Sequence, residues 1–261
     1  MGQRKARKSA FLAAHPLCCF CGGVAPSVEI DHVPARVLFH GRQWPEGYEF
    51  PACVSCNRST RHDEQVVALL SRIYPDPSSP EEAKELRERM RAVQHNWPEI
   101  LQEMQPTIRQ LRDAAKKYNL KKPESGSYAD IPALAVNGPL VNKAIVGFGR
   151  KLFSALYYKH TGLILKHGGG IGIRWYTNLQ IENEEIPRSL AKIVPGFPKL
   201  ERSRRELGDQ FFYRWGIADT NEVAVFLAIF RQSFAVLGYV SQKLSDIPPS
   251  DRVEIVEPNY A

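Results

Sequence analysis

The hydrophobic and polar positions near the N-terminus predict a short strand, a long loop, a second strand and a helix. The apolar run SVEI and the later YEFPAC predict the two strands, and the irregular loop between them covers residues 33–51. The segment NRSTRHDEQVVALLSRIY predicts one helix. Its apolar residues recur at helical spacing, at Val66, Val67, Leu70 and Ile73.

Charged helical patterns follow this first unit. PDPSSPEE, residues 75–82, predicts a linker in which Ser79 caps a helix that has Pro80 in its first turn. Two amphipathic helices are predicted over about 81–96 and 99–118, with Pro106 kinking the second. Because glutamates are interspersed among their basic residues, a solvated helical hairpin is favoured over a stripe that binds nucleic acid.

The C-terminal part of the chain predicts a helix and an antiparallel sheet. A helix is predicted over about 140–161, and its apolar face is formed by Ile145, Phe148, Leu152 and Leu156. HGGGIGIRW lacks the endings of known phosphate-binding loops, so it predicts a turn into a strand. QFFYRWGI, EVAVFLAIF and SFAVLGYV are aromatic and branched, and they predict antiparallel strands.

Four of the five cysteines form two C-x-x-C pairs, in CCFCGG and CVSC. Two such pairs can surround one ion tetrahedrally with no open position, which is typical of a structural Zn²⁺ site. The predicted ligands are Cys18, Cys21, Cys53 and Cys56. Cys19 does not have the spacing needed to belong to either pair. It is interpreted as a cysteine that does not bind the metal, or as an alternative ligand in a shifted register. The alternative to a metal site is a set of buried, unpaired cysteines.

These patterns predict an α+β chain in three parts. Residues 1–75 form a zinc-bound module, residues 76–128 a helical connector, and residues 129–261 a C-terminal α+β domain of unknown role that could bind protein partners. We expect the metal to supply the folding energy that holds the long insertion between the cysteine pairs in place, because so small a module lacks a sufficient hydrophobic core.

The charge of the chain favours an anionic partner. The formal net charge is +7 and the isoelectric point is about 9.2, which favours a polyanionic partner, nucleic acid first. The sequence has no apolar run of transmembrane length, and its basic start lacks the apolar stretch of a signal peptide. We therefore expect a cytoplasmic protein that does not bind membranes.

An acidic residue and a histidine stand side by side in EIDHVPARVLF, between the cysteine pairs. Neighbouring residues of a strand point to opposite faces, so Asp31 and His32 can serve one site only where the strand ends or bends. Pro34 predicts such an end. The alternative interpretation is a surface aspartate beside a packed histidine.

Together these motifs resemble the HNH nucleases. CFCGG, DHVPARVLF, PACVSCN and the DE pair at Asp63 and Glu64 are similar to bacterial members of that family over residues 18–64, and weakly over 142–162. The resemblance implies two strands and a helix around one catalytic metal, and hydrolysis or nicking of phosphodiester bonds in DNA. It leaves the setting open among phage defence, mobile elements and repair.

The resemblance also implies roles for individual residues. His32 would be the general base, and Asp31 and Asn57 would bind a catalytic Mg²⁺ or Mn²⁺. Nearby arginines could contact phosphates, and three residues of the predicted helix could be accessory to the site. The phosphate candidates are Arg36, Arg58 and Arg61, and the accessory candidates are His62, Asp63 and Glu64.

One departure from the family pattern keeps two other functions open. The middle asparagine of the motif is absent from residues 48–50, where the second strand is predicted. The alternative is therefore a non-catalytic, zinc-dependent nucleic-acid-binding protein with a decayed HNH site. A third is a structural or adaptor protein that keeps the zinc fold for stability alone.

Overall fold

The computed structural model describes residues 2–259. Met1, Tyr260 and Ala261, which lie at the outer limits of the predicted domains, are outside these residues. The described chain is a mixed α+β structure with antiparallel sheets, as the sequence predicts.

The first part of the chain contains the predicted strand pair and helix. Its elements are α1 (Gly2–Ala14), β1 (Glu29–His32), β2 (Glu49–Ala52), α2 (Val54–Ser59) and α3 (Arg61–Leu70). Strands β1 and β2 pair antiparallel, with His32 opposite Glu49, and β1 ends two residues before Pro34 as predicted. Helix α1 was not predicted.

The predicted helix over residues 57–74 is divided, and in this respect the prediction is wrong. Helix α2 already begins at Val54, and Thr60, with φ −104° and ψ 10°, separates it from α3. The Thr60 side chain is fully buried and its hydroxyl accepts a hydrogen bond from Lys151. A tertiary contact therefore accompanies the break, and hydrophobic periodicity cannot reveal it.

The connector contains α4 (Pro80–Asn96), α5 (Pro98–Glu103) and α6 (Ile108–Lys117). Ser79 caps α4 through its hydroxyl, as predicted. A single kinked helix over 99–118 is wrong, because the chain leaves the helical conformation before Pro106. Proline disfavours a helical residue before it, and Thr107 then starts α6 with a capping box.

The last part contains the predicted long helix and sheet. Its helices are α7 (Pro139–Thr161), α8 (Asn178–Glu182) and α9 (Leu190–Ile193), and its strands are β3 (Gly170–Thr177), β4 (Glu201–Arg202), β5 (Arg205–Glu206), β6 (Phe211–Ile217), β7 (Val223–Phe230), β8 (Phe234–Ser241) and β9 (Glu254–Val256). Five strands form an antiparallel sheet in the order β6-β7-β8-β3-β9, and β4-β5 is a separate hairpin. The helix, the turn into β3 and the three aromatic-rich strands are confirmed.

Helix α7 connects the parts of the molecule. It packs against α3 on one side and against β3 and β8 on the other. One hydrophobic core includes Val66 of α3, Phe148 of α7 and Phe226 of β7. The division of the chain into three domains stays a prediction. Within residues 2–259, no helix combines the length and apolar character needed to cross a bilayer.

Candidate functional site

The four cysteines of the two C-x-x-C pairs come together in the structure. Their sulfur atoms all lie within 4.8 Å of one another, and all four residues are buried. Tetrahedral Zn–S bonds of about 2.3 Å would separate the sulfurs by about 3.8 Å, so the four-cysteine cluster fits an ion such as zinc. Within residues 2–259, no second group of three or more cysteine, histidine or carboxylate side chains is arranged to hold a metal.

Local backbone geometry aims the sulfurs at one point. The amide of Phe20 donates to Cys18 Sγ at 3.5 Å, and the amide of Cys56 donates to Cys53 Sγ at 3.4 Å. Gly22 and Gly23 have φ of 67° and 77°, which only glycine adopts without strain, and they turn the chain back after the first pair. The amide of Cys19 bonds to Pro51 O at 3.1 Å, which joins the first pair to β2.

The cluster favours a thiolate even without a metal. A hydrogen bond from the Cys56 side chain lowers the pKa of Cys18, although burial opposes the shift. Cys19 lies outside the cluster, and burial raises the pKa of its thiol well above the ordinary value. Cys19 is therefore not one of the clustered ligands, in agreement with its position outside the two C-x-x-C spacings.

Asp31 and His32 face different surroundings. Asp31 Oδ2 lies 2.6 Å from Lys151 Nζ, and the same ammonium lies 2.9 Å from Glu64 Oε1 and 2.8 Å from Thr60 Oγ1. Asp31 Oδ1 accepts the backbone amide of His32 at 2.8 Å. Asp31 Oδ1 thus accepts a hydrogen bond, whereas buried Oδ2 has the ion pair with Lys151 but no hydrogen-bond donor of good geometry. We call Lys151, Asp31, Glu64 and Thr60 the Lys151 network.

The charges in this network depend on one another. Burial raises the pKa of Asp31, and Lys151 opposes that shift. Burial lowers the pKa of Lys151, but Asp31 and Glu64 outweigh it and the net direction is upward. The Lys151 side chain is only 4% exposed, so its charge depends on these carboxylates rather than on water.

The His32 ring lies on the opposite side of β1, among aromatic and basic groups. Arg36 Nη2 lies 2.6 Å from His32 Nε2, and the Trp44 ring meets the imidazole edge-on with centroids 4.5 Å apart. Burial, Arg36 and Arg202 together lower the pKa of His32 to about 4. The imidazole is therefore neutral at pH 7.

The surroundings of Asp31 disfavour a divalent ion at the predicted catalytic-metal site. Asp31 Oδ2 faces the ammonium group of Lys151 at 2.6 Å, and a divalent cation there would be repelled by that ammonium or would have to displace it. The Asn57 amide nitrogen donates to Glu29 Oε2, a bond that orients this side chain and does not involve Oδ1, the atom that would bind a metal. Zinc fits the four-cysteine cluster, whereas Mg²⁺ or Mn²⁺ at Asp31 and Asn57 has no such support.

The other predicted residues are distributed over several places. Arg58 and Arg61 are exposed on α2 and α3, while Arg36 contacts His32. His62 Nδ1 lies 3.5 Å from Asp63 Oδ1, and the imidazole ring packs on Trp97. Burial lowers the pKa of His62. Burial raises the pKa of Asp63 to about 7. Glu64, the third accessory candidate, belongs to the Lys151 network.

Three residues of the site were missed from the sequence: Trp44, Lys151 and Arg202. Lys151 lies in α7 directly before Leu152, one of the residues of the apolar face, and a lysine next to buried positions is the one available signal. Trp44 and Arg202 are 158 residues apart in the chain, and no sequence pattern connects them.

Comparisons with models of protein families, with characterised proteins and with solved structures find no match. The likeness to HNH nucleases therefore rests on the motifs of this chain alone.

Proposed function

We propose that the protein is an HNH-type nuclease that hydrolyses or nicks DNA, with His32 as the general base. The observation that carries the proposal is a neutral imidazole at the end of β1 in contact with the guanidinium of Arg36. A proton acceptor beside a phosphate-binding group is what hydrolysis of a phosphodiester requires. The strand pair, the following helices and the four-cysteine cluster support the same reading.

In the proposed reaction, water attacks phosphorus while His32 Nε2 takes a proton from that water. A new P–O bond forms, the bond to the leaving oxygen breaks, and that oxygen takes a proton from solvent water. Arg36 offsets negative charge on the phosphate. A base with a pKa near 4 is weak at neutral pH. Burial is the largest cause of this low pKa, and Arg36 and Arg202 add to it. Bound phosphate would offset the charge of the two arginines, so binding of the substrate would remove part of the shift and strengthen the base.

Arg36 has a second consequence for this reaction. Its guanidinium covers both ring nitrogens of His32, at 2.6 Å from Nε2 and 3.3 Å from Nδ1. A phosphate that forms a bidentate pair with Arg36 would draw the guanidinium away from the ring. Substrate binding would therefore also free Nε2 to accept a proton.

The Lys151 network favours a second candidate, a non-catalytic, zinc-dependent nucleic-acid-binding protein. The resemblance to HNH nucleases implies that Asp31 and Asn57 hold Mg²⁺ or Mn²⁺, yet an ammonium group lies against Asp31. If the cation position belongs permanently to Lys151, hydrolysis would be lost while binding remained.

A nicking assay distinguishes the two candidates. Supercoiled plasmid is incubated with zinc-loaded protein in Mg²⁺, in Mn²⁺ and with a chelator too weak to remove the zinc. His32→Ala should abolish nicking, whereas His95→Ala, at an exposed position on α4, should leave it unchanged. Equal nicking by wild type and His32→Ala, or none by either protein with zinc bound, would refute the nuclease.

A further inference from the structure

We propose that Arg36, Trp44 and Arg202, here called the Trp44 cluster, bind the phosphate backbone of DNA beside His32. The C-terminal part of the chain would then complete the site through the hairpin β4–β5. This inference rests on the proposed function in taking His32 as the reacting residue, but it does not require that cleavage occurs.

The cluster places two cations on one aromatic ring. The guanidinium carbons of Arg36 and Arg202 each lie 3.7 Å from the centroid of the Trp44 ring. Two guanidinium groups cannot share one face at that distance, so the ring lies between them. Each gains a cation–π contact, and the indole fixes both groups beside the His32 imidazole.

The cations lack acidic partners in the cluster. In the part of the chain that the structure describes, no carboxylate forms an ion pair with Arg36 or Arg202. Burial lowers the pKa of Arg36, and the charge of Glu49 opposes this shift without an ion pair between the two residues. Glu49 Oε1 instead lies 3.8 Å from Arg7 Nη2. Arg36 Nε and Trp44 Nε1 are also buried donors that have no acceptor among these residues.

Unsatisfied donors and unpaired charges both indicate a missing anion. A buried N–H without an acceptor is unfavourable, and two neighbouring guanidinium groups repel each other. The forked guanidinium geometry matches phosphate oxygens. A phosphate at the cluster would supply the acceptors and the negative charge, and it would lie next to the proposed base.

Backbone contacts hold the hairpin against the loop that carries Trp44. The amide of Glu46 donates to Glu201 O at 2.9 Å, and the amide of Ser203 donates to Glu46 Oε1 at 3.0 Å. Arg202 Nη1 also donates to Trp44 O at 3.3 Å. The contacts of the neighbouring residues therefore fix the backbone of Arg202, and the hydrogen bond to Trp44 O orients its guanidinium group.

The turn of this hairpin adds further positive charge. Ser203 and Arg204 have φ of 50° and 67°, where asparagine and glycine are the usual residues of a two-residue turn. Arg204 is exposed, and its positive φ is unfavourable for an arginine. Arg205, which follows it, is also exposed. The hairpin thus presents arginines beyond the cluster, which suits a polymer of phosphates better than a single small anion.

The test measures binding in a protein that cannot cleave. In a His32→Ala background, binding of a fluorescently labelled DNA duplex is followed by anisotropy over a series of salt concentrations. Arg202→Gln should weaken binding on the order of tenfold and lower the slope of log K against log salt by about 0.9. Arg109→Gln, which removes the same charge from a 91% exposed position on α6, should change neither quantity.

Two further variants separate charge from folding. Arg202→Lys keeps the charge without the fork, so it should restore most of the salt slope but only part of the affinity. Arg204→Gln removes charge from an exposed position, so it should weaken binding without any change in zinc content. If Arg202→Gln and Arg204→Gln both bind like Arg109→Gln, the inference is wrong.

The two proposals can fail separately. Binding that depends on Arg202, with no nicking under any condition, would refute the nuclease and support the Trp44 cluster. Nicking that depends on His32, with unchanged KM and salt dependence in Arg202→Gln, would support the nuclease and overturn the cluster.

Discussion

At the level of single residues, His32 and Asp31 obtain opposite electrostatic surroundings from adjacent positions in β1. Alternation along the strand directs Asp31 to the ammonium of Lys151 and His32 to two guanidinium groups. The cation near the carboxylate stabilises its charge, whereas the cations near the imidazole keep it neutral. One strand therefore separates a charged pair from a potential proton acceptor.

The pKa of His32 is the first measurable consequence. We expect an NMR titration to give a pKa near 4 for His32, and Arg202→Gln should raise it by only a part of the shift, because burial, the largest cause, and Arg36 remain. Arg109→Gln should leave it unchanged. The pKa of His32 is lower in the folded protein than in the unfolded chain. Between pH 6.5 and pH 4 the unfolded chain therefore binds more protons than the folded protein, so His32 lowers the free energy of unfolding as the pH falls through this range. An ordinary pKa in the wild type would contradict this environment.

Lys151 gives a second prediction at this scale. Lys151→Met would leave buried Asp31 and half-buried Glu64 without their cation, which should lower the free energy of unfolding by about 3–5 kcal/mol. Urea denaturation measures the loss, and Lys116→Met at an exposed position on α6 is the control. If Mn²⁺ restores part of the lost stability, the emptied position accepts a divalent ion. A loss below about 1 kcal/mol would show that the ion pair does not hold the network together.

At the level of elements, the two cysteine pairs hold the start of the chain against β2 and α2. We expect Cys53→Ser to lose zinc and to melt at a clearly lower temperature, because structural zinc contributes on the order of 10 kcal/mol in small modules. Cys19→Ser is the matched control, since Cys19 is buried beside the cluster but is not part of it. Metal analysis and thermal melting should show zinc retained in that variant. Zinc retained in both would mean that the cysteines do not hold it.

The hairpin β4–β5 combines backbone strain with charge. Arg204→Gly should relieve the left-handed conformation and raise the free energy of unfolding by up to about 1 kcal/mol. The same substitution should weaken DNA binding, because it removes a cation from the turn. Arg205→Gly, at a strand position with no positive φ, should not stabilise the protein. Tighter DNA binding by Arg204→Gly would contradict a binding role for this turn.

Elements that have a clear periodicity could be predicted from the sequence, and contacts between distant elements could not. Helix α7 and strands β6, β7 and β8 are confirmed because their apolar spacing reports which face is buried. The four-cysteine cluster is confirmed because a C-x-x-C pair carries its geometry locally. The approach of Lys151 to Asp31 depends on the packing of α7 against α3, which no local pattern encodes. Arg202 reaches Trp44 for the same kind of reason.

At the level of the whole molecule, α7 makes the candidate site depend on the C-terminal part. It supplies Lys151 to Asp31, and it covers the buried face of α3. The hairpin supplies Arg202 on the other side of β1. Both sides of the Asp31–His32 pair are therefore completed by residues more than 100 positions away in the chain.

The last prediction concerns independent folding of residues 1–75. Val66, Val67 and Leu69 of α3 are at most 1% exposed in the full chain, and a fragment that ends at residue 75 would expose this face and leave Asp31 without Lys151. We expect the zinc-loaded fragment to give poorly dispersed NMR spectra and to bind a hydrophobic dye. The full chain should unfold in one transition when followed by circular dichroism and by tryptophan fluorescence. A zinc-bound fragment with dispersed resonances and a cooperative melt would instead establish residues 1–75 as a domain that folds alone, and the contacts of α7 would then be an interface between domains rather than part of one core.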